Sequence, residues 1–146
     1  MRVVRLRSVK NGVVGLVAAG VFAGGAGVAV AASWHGMQLK SAGASFSGWY
    51  LFNKRGVNHG AFEWKGTLKD QDRTDGHNAY IETKIEGHDW TRTYGKQGKA
   101  VNLHRSHWDG AQAYTRDAYM RVCRDRGSLH PDNCSSTMHR KNPAAD

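Results

Sequence analysis

The sequence predicts an all-β fold, an antiparallel β-sandwich or small barrel with one disulfide near its C-terminus. Three observations carry this. Short apolar segments alternate with polar residues at a period of two. Gly, Asn and Asp punctuate the chain at intervals of about 8–12 residues, as in sandwiches and barrels. Its two cysteines, Cys123 and Cys134, enclose the turn-forming stretch RDRGSLHPDN. A period of two marks a half-buried strand because successive side chains point to opposite faces.

In chain order, residues 1–31 belong to a different class of segment. Arg2, Arg5, Arg7 and Lys10 precede a long uncharged run rich in Gly and Ala, which ends in the small-x-small triplet Ala29-Val30-Ala31. The pattern predicts a secretory signal peptide cleaved after Ala31; a membrane anchor of roughly 20 residues would be richer in Leu and Ile. Cleavage removes four basic residues and no acidic one, so the formal net charge falls from +9 to +5. Residues 32–135 then form a single β-rich domain with one modest core, and residues 136–146 a flexible tail.

Within the domain, the apolar run from Trp49 to Phe52 is a first strand, with Trp49 in the core. AFEWKGTLKD alternates next, with Phe62, Trp64 and Leu68 on one side and Glu63, Lys65 and Thr67 on the other. After the turn DQDRTDGH, the segment NAYIETKIEG turns Ala79, Ile81, Thr83 and Ile85 inward and Tyr80, Glu82 and Lys84 outward. DWTRTYG and KAVNLHRSHW read as two further strands joined by a GKQG hairpin. AYMRVC follows the Asp109-Gly110 turn and mixes aromatic and β-branched residues, which favours a strand over a helix. The tail STMHRKNPAAD lacks periodicity and is expected to fray.

The cysteines are read as a staple. An even pair in a secreted chain meets an oxidising compartment, and Gly127, Pro131, Asp132 and Asn133 let the chain reverse between them. A redox couple would want C-x-x-C spacing, and a zinc site would need more than His130 to complete its ligands. No metal or cofactor is predicted.

FEWKGTLKD, TDG, NAYIETKI and the terminal YMRVCRDR leading to PDNCSS resemble a set of small secreted proteins from actinobacteria. The resemblance implies an extracytoplasmic β-rich fold with a Cys123–Cys134 bridge. It supplies no active site that transfers residue by residue.

Four groups of residues bear on chemistry. Asp70, Asp72 and Asp75 before Gly76 invite a calcium reading, but the third Asp falls one place late and Arg73 interrupts, so a solvated hairpin turn is expected. Glu82, His104 and Arg105 would suit phosphodiester cleavage if neighbouring strands brought them together; His104 and His107 should point to opposite faces. Five tryptophans are many for such a domain. Trp64 and Trp49 read as core, whereas Trp34, Trp90 and Trp108 sit beside polar residues and would form a stacking platform if they shared a face. Arg116, Arg121, Arg124, Arg126, Arg140 and Lys141 gather near the cysteine loop, offset by Asp117, Asp125 and Asp132, which suits an anionic surface only weakly.

The sequence thus reads as a secreted extracellular binding module without a cofactor rather than as an enzyme. The leading partner is a cell-wall or extracellular glycan, contacted by Trp34, Trp90 and Trp108. A small nuclease using Glu82, His104 and Arg105 is the first alternative, although nucleic acid is not the favoured partner. An antimicrobial or inhibitor protein is the second.

Overall fold

Alternation along each strand becomes pairing between strands. A computed structural model describes residues 32–145; the predicted signal peptide, residues 1–31, lies outside the described residues. The strands are β1 (His35–Ser41), β2 (Ala44–Phe52), β3 (Phe62–Asp70), β4 (Ala79–Ile85), β5 (Thr91–Tyr94), β6 (Ala100–His107), β7 (Asp117–Arg124), β8 (Asn133–Cys134) and β9 (Met138–Lys141), with a 3-10 turn at Asn58–Gly60. They form two antiparallel sheets packed face to face. One sheet has the order β1-β2-β3-β6; the other runs β5-β4-β7, with β8 and β9 following one another along the free edge of β7. The all-β sandwich is therefore the fold.

Inward positions of both sheets build one core. Phe46, Phe62, Trp64 and Leu68 from the first sheet meet Ala79, Ile81, Ile85, Ala118, Met120 and Val122 from the second. Each large side chain in this set contributes about 1.5–3 kcal/mol by leaving water. Gly48 and Gly66 face each other across β2 and β3. A Cβ on Gly48 would lie 2.9 Å from the Phe46 ring, and one on Gly66 2.7 Å from it. That ring fills the space two side chains would have taken, and it meets Trp64 edge-on at 5.5 Å.

Cys123 and Cys134 are directly opposed across β7 and β8 and form the disulfide. Among the described residues no helix is long and apolar enough to cross a membrane.

Several expectations are corrected. Trp49 points outward and is 52% exposed. The inward phase of β2 runs through Ala44, Phe46 and Gly48, so the neighbouring indole falls on the other face. The stretches DQDRTDGH and GKQG are not hairpin turns: β3 and β4, like β5 and β6, lie in different sheets. Nor is the first stretch solvated throughout, because Asp70 is buried and accepts the backbone N–H groups of Asp72 and Ala79. Asp72 and Asp75 both hold the Arg124 guanidinium, at 2.6 and 2.8 Å. An arginine thus takes the carboxylates that a calcium ion would need.

The segment expected to fray carries β9, which pairs with β7 from Met120 to Asp117. Asn142 beyond it is buried, donating through its backbone N–H to the Arg116 carbonyl and through Nδ2 to the Thr115 carbonyl. On β4 the inward set is as expected, but the outward-pointing Tyr80 and Glu82 are buried too. Their cover comes from arginines of the neighbouring strands.

Candidate functional site

Strand register lays out the exposed face of the four-stranded sheet in rows. Gly36, Trp49, Lys65 and His104 lie side by side across β1, β2, β3 and β6. The next row towards one end holds Leu51, Glu63 and Ser106; the next towards the other holds Gln38, Ser47, Thr67 and Asn102. Period-two alternation puts all of these on the outer face of the sheet, where Leu51 is nevertheless buried. A shallow depression of about 370 Å³ beside Trp49 is lined by Gly36, Gln38 and Ser47 among others.

Trp34, just before β1, reaches over this face. Lys65 Nζ sits 4.2 Å from the centre of its ring, and His104 meets it at 6.4 Å with an interplanar angle of 63°. The face therefore displays two indoles, one partly engaged by a lysine and one open.

A carboxylate network closes one end of the face. Glu63 Oε1 lies 2.6 Å from His104 Nε2, while Oε2 accepts from Asn53 Nδ2 and Asn58 Nδ2, each at 2.9 Å. Asn58 Nδ2 also donates to Ser106 Oγ at 3.0 Å. Burial pushes the Glu63 carboxyl up, but the bonds from Asn53, His104 and Asn58 outweigh it and hold its pKa below the usual carboxylate range. Glu63 thus stays ionised and orients an exposed imidazole. Asn58 and His59 adopt left-handed backbone, with φ of 43° and 55°. Such strain persists only where surrounding contacts enforce it. Here the Asn58 amide grips Glu63 and Ser106, and the His59 ring stacks on Trp108 at 4.8 Å.

The residues predicted as sites are distributed differently. Trp34, Trp90 and Trp108 share no face. Trp34 lies on the exposed face of the four-stranded sheet. Trp90 lies on the outside of the other sheet, under the Arg121 guanidinium at 4.6 Å. Trp108 stands at the open end between the sheets, 44% exposed. Glu82, His104 and Arg105 are likewise not assembled. Glu82 belongs to the second sheet, where Arg92 Nε and Arg121 Nε donate to its two oxygens at 2.9 and 2.6 Å. His104 sits on the first sheet, and Arg105 donates to the carbonyl of His104. His104 and His107 do face opposite sides; His107 turns inward and stacks on Trp64.

The basic cluster is dispersed as well. Arg121 is bound to Glu82 and Arg124 to Asp72 and Asp75, while Arg116 and Arg140 lie over Tyr114 and Tyr50. Alternation along the chain sets Glu63 and Lys65 opposite the inward residues of β3 and turns His104 away from His107, but it does not join the three, and it reads Trp49 as buried. Extending the Ala44-Phe46-Gly48 alternation forward would have turned Trp49 out.

No protein-family model, curated protein or solved structure matches this chain.

Proposed function

We propose that this protein is a secreted binding module for extended glycan and that it binds on the exposed face of the β1-β2-β3-β6 sheet. The observation that carries the reading is Trp49, an indole 52% exposed on an inner strand of the sheet. An indole left this exposed gains little from folding, and together with Trp34 on the same face it offers an apolar surface to a ligand. Pyranose rings offer apolar C–H faces that stack on indoles, and their hydroxyls suit the amides and hydroxyls of Gln38, Ser47, Thr67 and Asn102. Trp34 supplies a second ring. The flatness of the face suits a chain rather than a small enclosed molecule. Secretion accords with the disulfide, which persists in oxidising compartments.

The test is co-sedimentation with insoluble cell-wall material and polysaccharides at low and high salt, using the wild type and Trp49→Ala. Stacking is not Coulombic, so binding should persist at high salt and be lost in the variant. Binding abolished by salt, or equal in the variant, would remove Trp49 from recognition.

A second reading rests on the Glu63–His104 pair. A partly buried carboxylate orienting an exposed imidazole is the base-and-orienter arrangement of hydrolases, and it replaces Glu82 in the nuclease alternative. Incubation with RNA tests it: cleavage that disappears in His104→Asn supports it, and intact RNA from pH 5 to 8 ends it.

A further inference from the structure

Between the edge strands β5 and β6 the two sheets separate into a cleft of about 200 Å³, lined by Thr83, Ile85, His88, Asp89, Thr91, Ser106, His107 and Trp108. Among the described residues, two buried polar atoms at this site find no hydrogen-bond partner: Thr83 Oγ1 and His107 Nε2. Thr83 is only 1% exposed. A buried donor or acceptor left unpaired costs about 1–3 kcal/mol, which a ligand group reaching both atoms would recover.

We propose that this cleft is a second binding site and that it takes a neutral, hydroxyl-bearing six-membered ring, the end residue of a glycan. The inference rests on the glycan reading and gives it an end-group pocket separate from the open face.

Four features select the ligand class. A hydroxyl both donates and accepts, so it can serve Thr83 Oγ1 and either tautomer of His107 Nε2. Ile85 and the Trp108 indole provide apolar wall for ring C–H groups, and Trp108 is held from the side by the stacked His59 ring. Charge excludes anions. The lining contains Asp89 but neither lysine nor arginine, and His88 is engaged with the Asp109 carboxylate at 3.5 Å. Size suits a single ring: at about 30 Å³ per water, the cleft holds roughly six or seven waters, the bulk of one sugar ring.

The cleft also continues the face. Ser106 lies in its lining and receives the Asn58 amide, which binds Glu63 and through it His104. A chain crossing the strands over Trp49 and His104 would reach this lip after about 10 Å, two strand spacings.

Titration of the 15N-labelled protein with methyl β-glucopyranoside, methyl α-mannopyranoside and N-acetylglucosamine, followed by amide and indole NMR shifts, tests the proposal. Saturable shifts at Thr83, Thr91, His107 and the Trp108 indole are expected with at least one probe. They should weaken at least tenfold in the isosteric Thr83→Val and persist in Trp49→Ala. Shifts confined to Trp34 and Trp49 would overturn the cleft and leave the face reading standing. Absence of shifts with all three probes would overturn the cleft site. Cleft shifts produced by glucosamine, a cationic sugar, but by none of the neutral probes would overturn the ligand class. If Thr83→Val loses its fold by near-ultraviolet circular dichroism, Trp108→Ala provides the second variant under the same criteria.

Discussion

Glu63 and His104 face each other from β3 and β6 with 2.6 Å between Oε1 and Nε2. The other carboxylate near in sequence character, Glu82, lies on the opposite sheet between two arginines. The two glutamates therefore have different work: Glu63 orients a side chain on the open face, and Glu82 neutralises charge beneath a cover.

Glu82→Ala tests the second role. Its side chain is 4% exposed, whereas those of Arg92 and Arg121 are 45% and 32% exposed. Removing the carboxylate leaves two cations side by side, but water screens both, so the loss should be about 2 kcal/mol rather than the larger cost of breaking a fully buried pair. Urea unfolding measures it. A change below about 0.5 kcal/mol would show the pair to be dispensable.

Acid should weaken the fold through His107. Burial, with a contribution from Arg105, pushes its pKa down from the ordinary 6.5 to about 4. Between these values the unfolded chain binds a proton that the folded chain does not. Stability is therefore complete above about pH 6.5 and declines towards pH 4, by on the order of 3 kcal/mol at the limit. Thermal melts at pH 7 and 4.5 should show this decline, and His107→Phe should reduce it. Glu63, Asp75 and Asp132, whose pKa values are lowered, add losses only at still lower pH.

Reduction of Cys123–Cys134 should cost about 2–3 kcal/mol, the loop-closure value for a short loop. Mass spectrometry of the non-reduced protein should find two hydrogens fewer than in the reduced chain. Two free thiols in the folded protein would contradict the bond.

Deleting residues 138–145 removes β9, the packing of Met138 against the core and both hydrogen bonds of Asn142. The expected loss is about 3 kcal/mol or more. Denaturant curves that superimpose on those of the full chain would show the segment to be structurally idle.

Trp49→Ala should leave stability within about 0.5 kcal/mol, because the ring stands outside the core. Polysaccharide binding should fall at least about tenfold, the lower end of what one stacked aromatic contributes. Loss of stability together with binding would instead place the ring in the fold.

Much of this architecture was legible in single strands. Phe62, Trp64 and Leu68 on β3, Ala79, Ile81, Thr83 and Ile85 on β4, and Ala118, Met120 and Val122 on β7 all point inward as their alternation predicts. Strand β1 went unread because its inward residues, Met37 and Leu39, are flanked by polar and glycine positions and give only two apolar points. β9 went unread for the same reason, having one apolar residue, Met138, in its four positions. Trp49 was misplaced because WYLF is apolar throughout; hydrophobicity alone gives no phase, and Gly48 conceals the inward position.

The sequence by itself determined the strand class, the inward sets of β3 and β4 and the pairing of its two cysteines. Periodicity and turn chemistry are local, so they can be read from neighbours along the chain. Only the tertiary structure decided which strands share a sheet, what covers an outward residue and which side chains meet. Those outcomes hang on the crossovers after β3, β5 and β6, which carry Glu82 and His104 to opposite sheets, leave Glu63 beside His104 and put Trp49 in the same row two strands away. No local pattern encodes such a choice, because it is settled by how two whole faces bury each other.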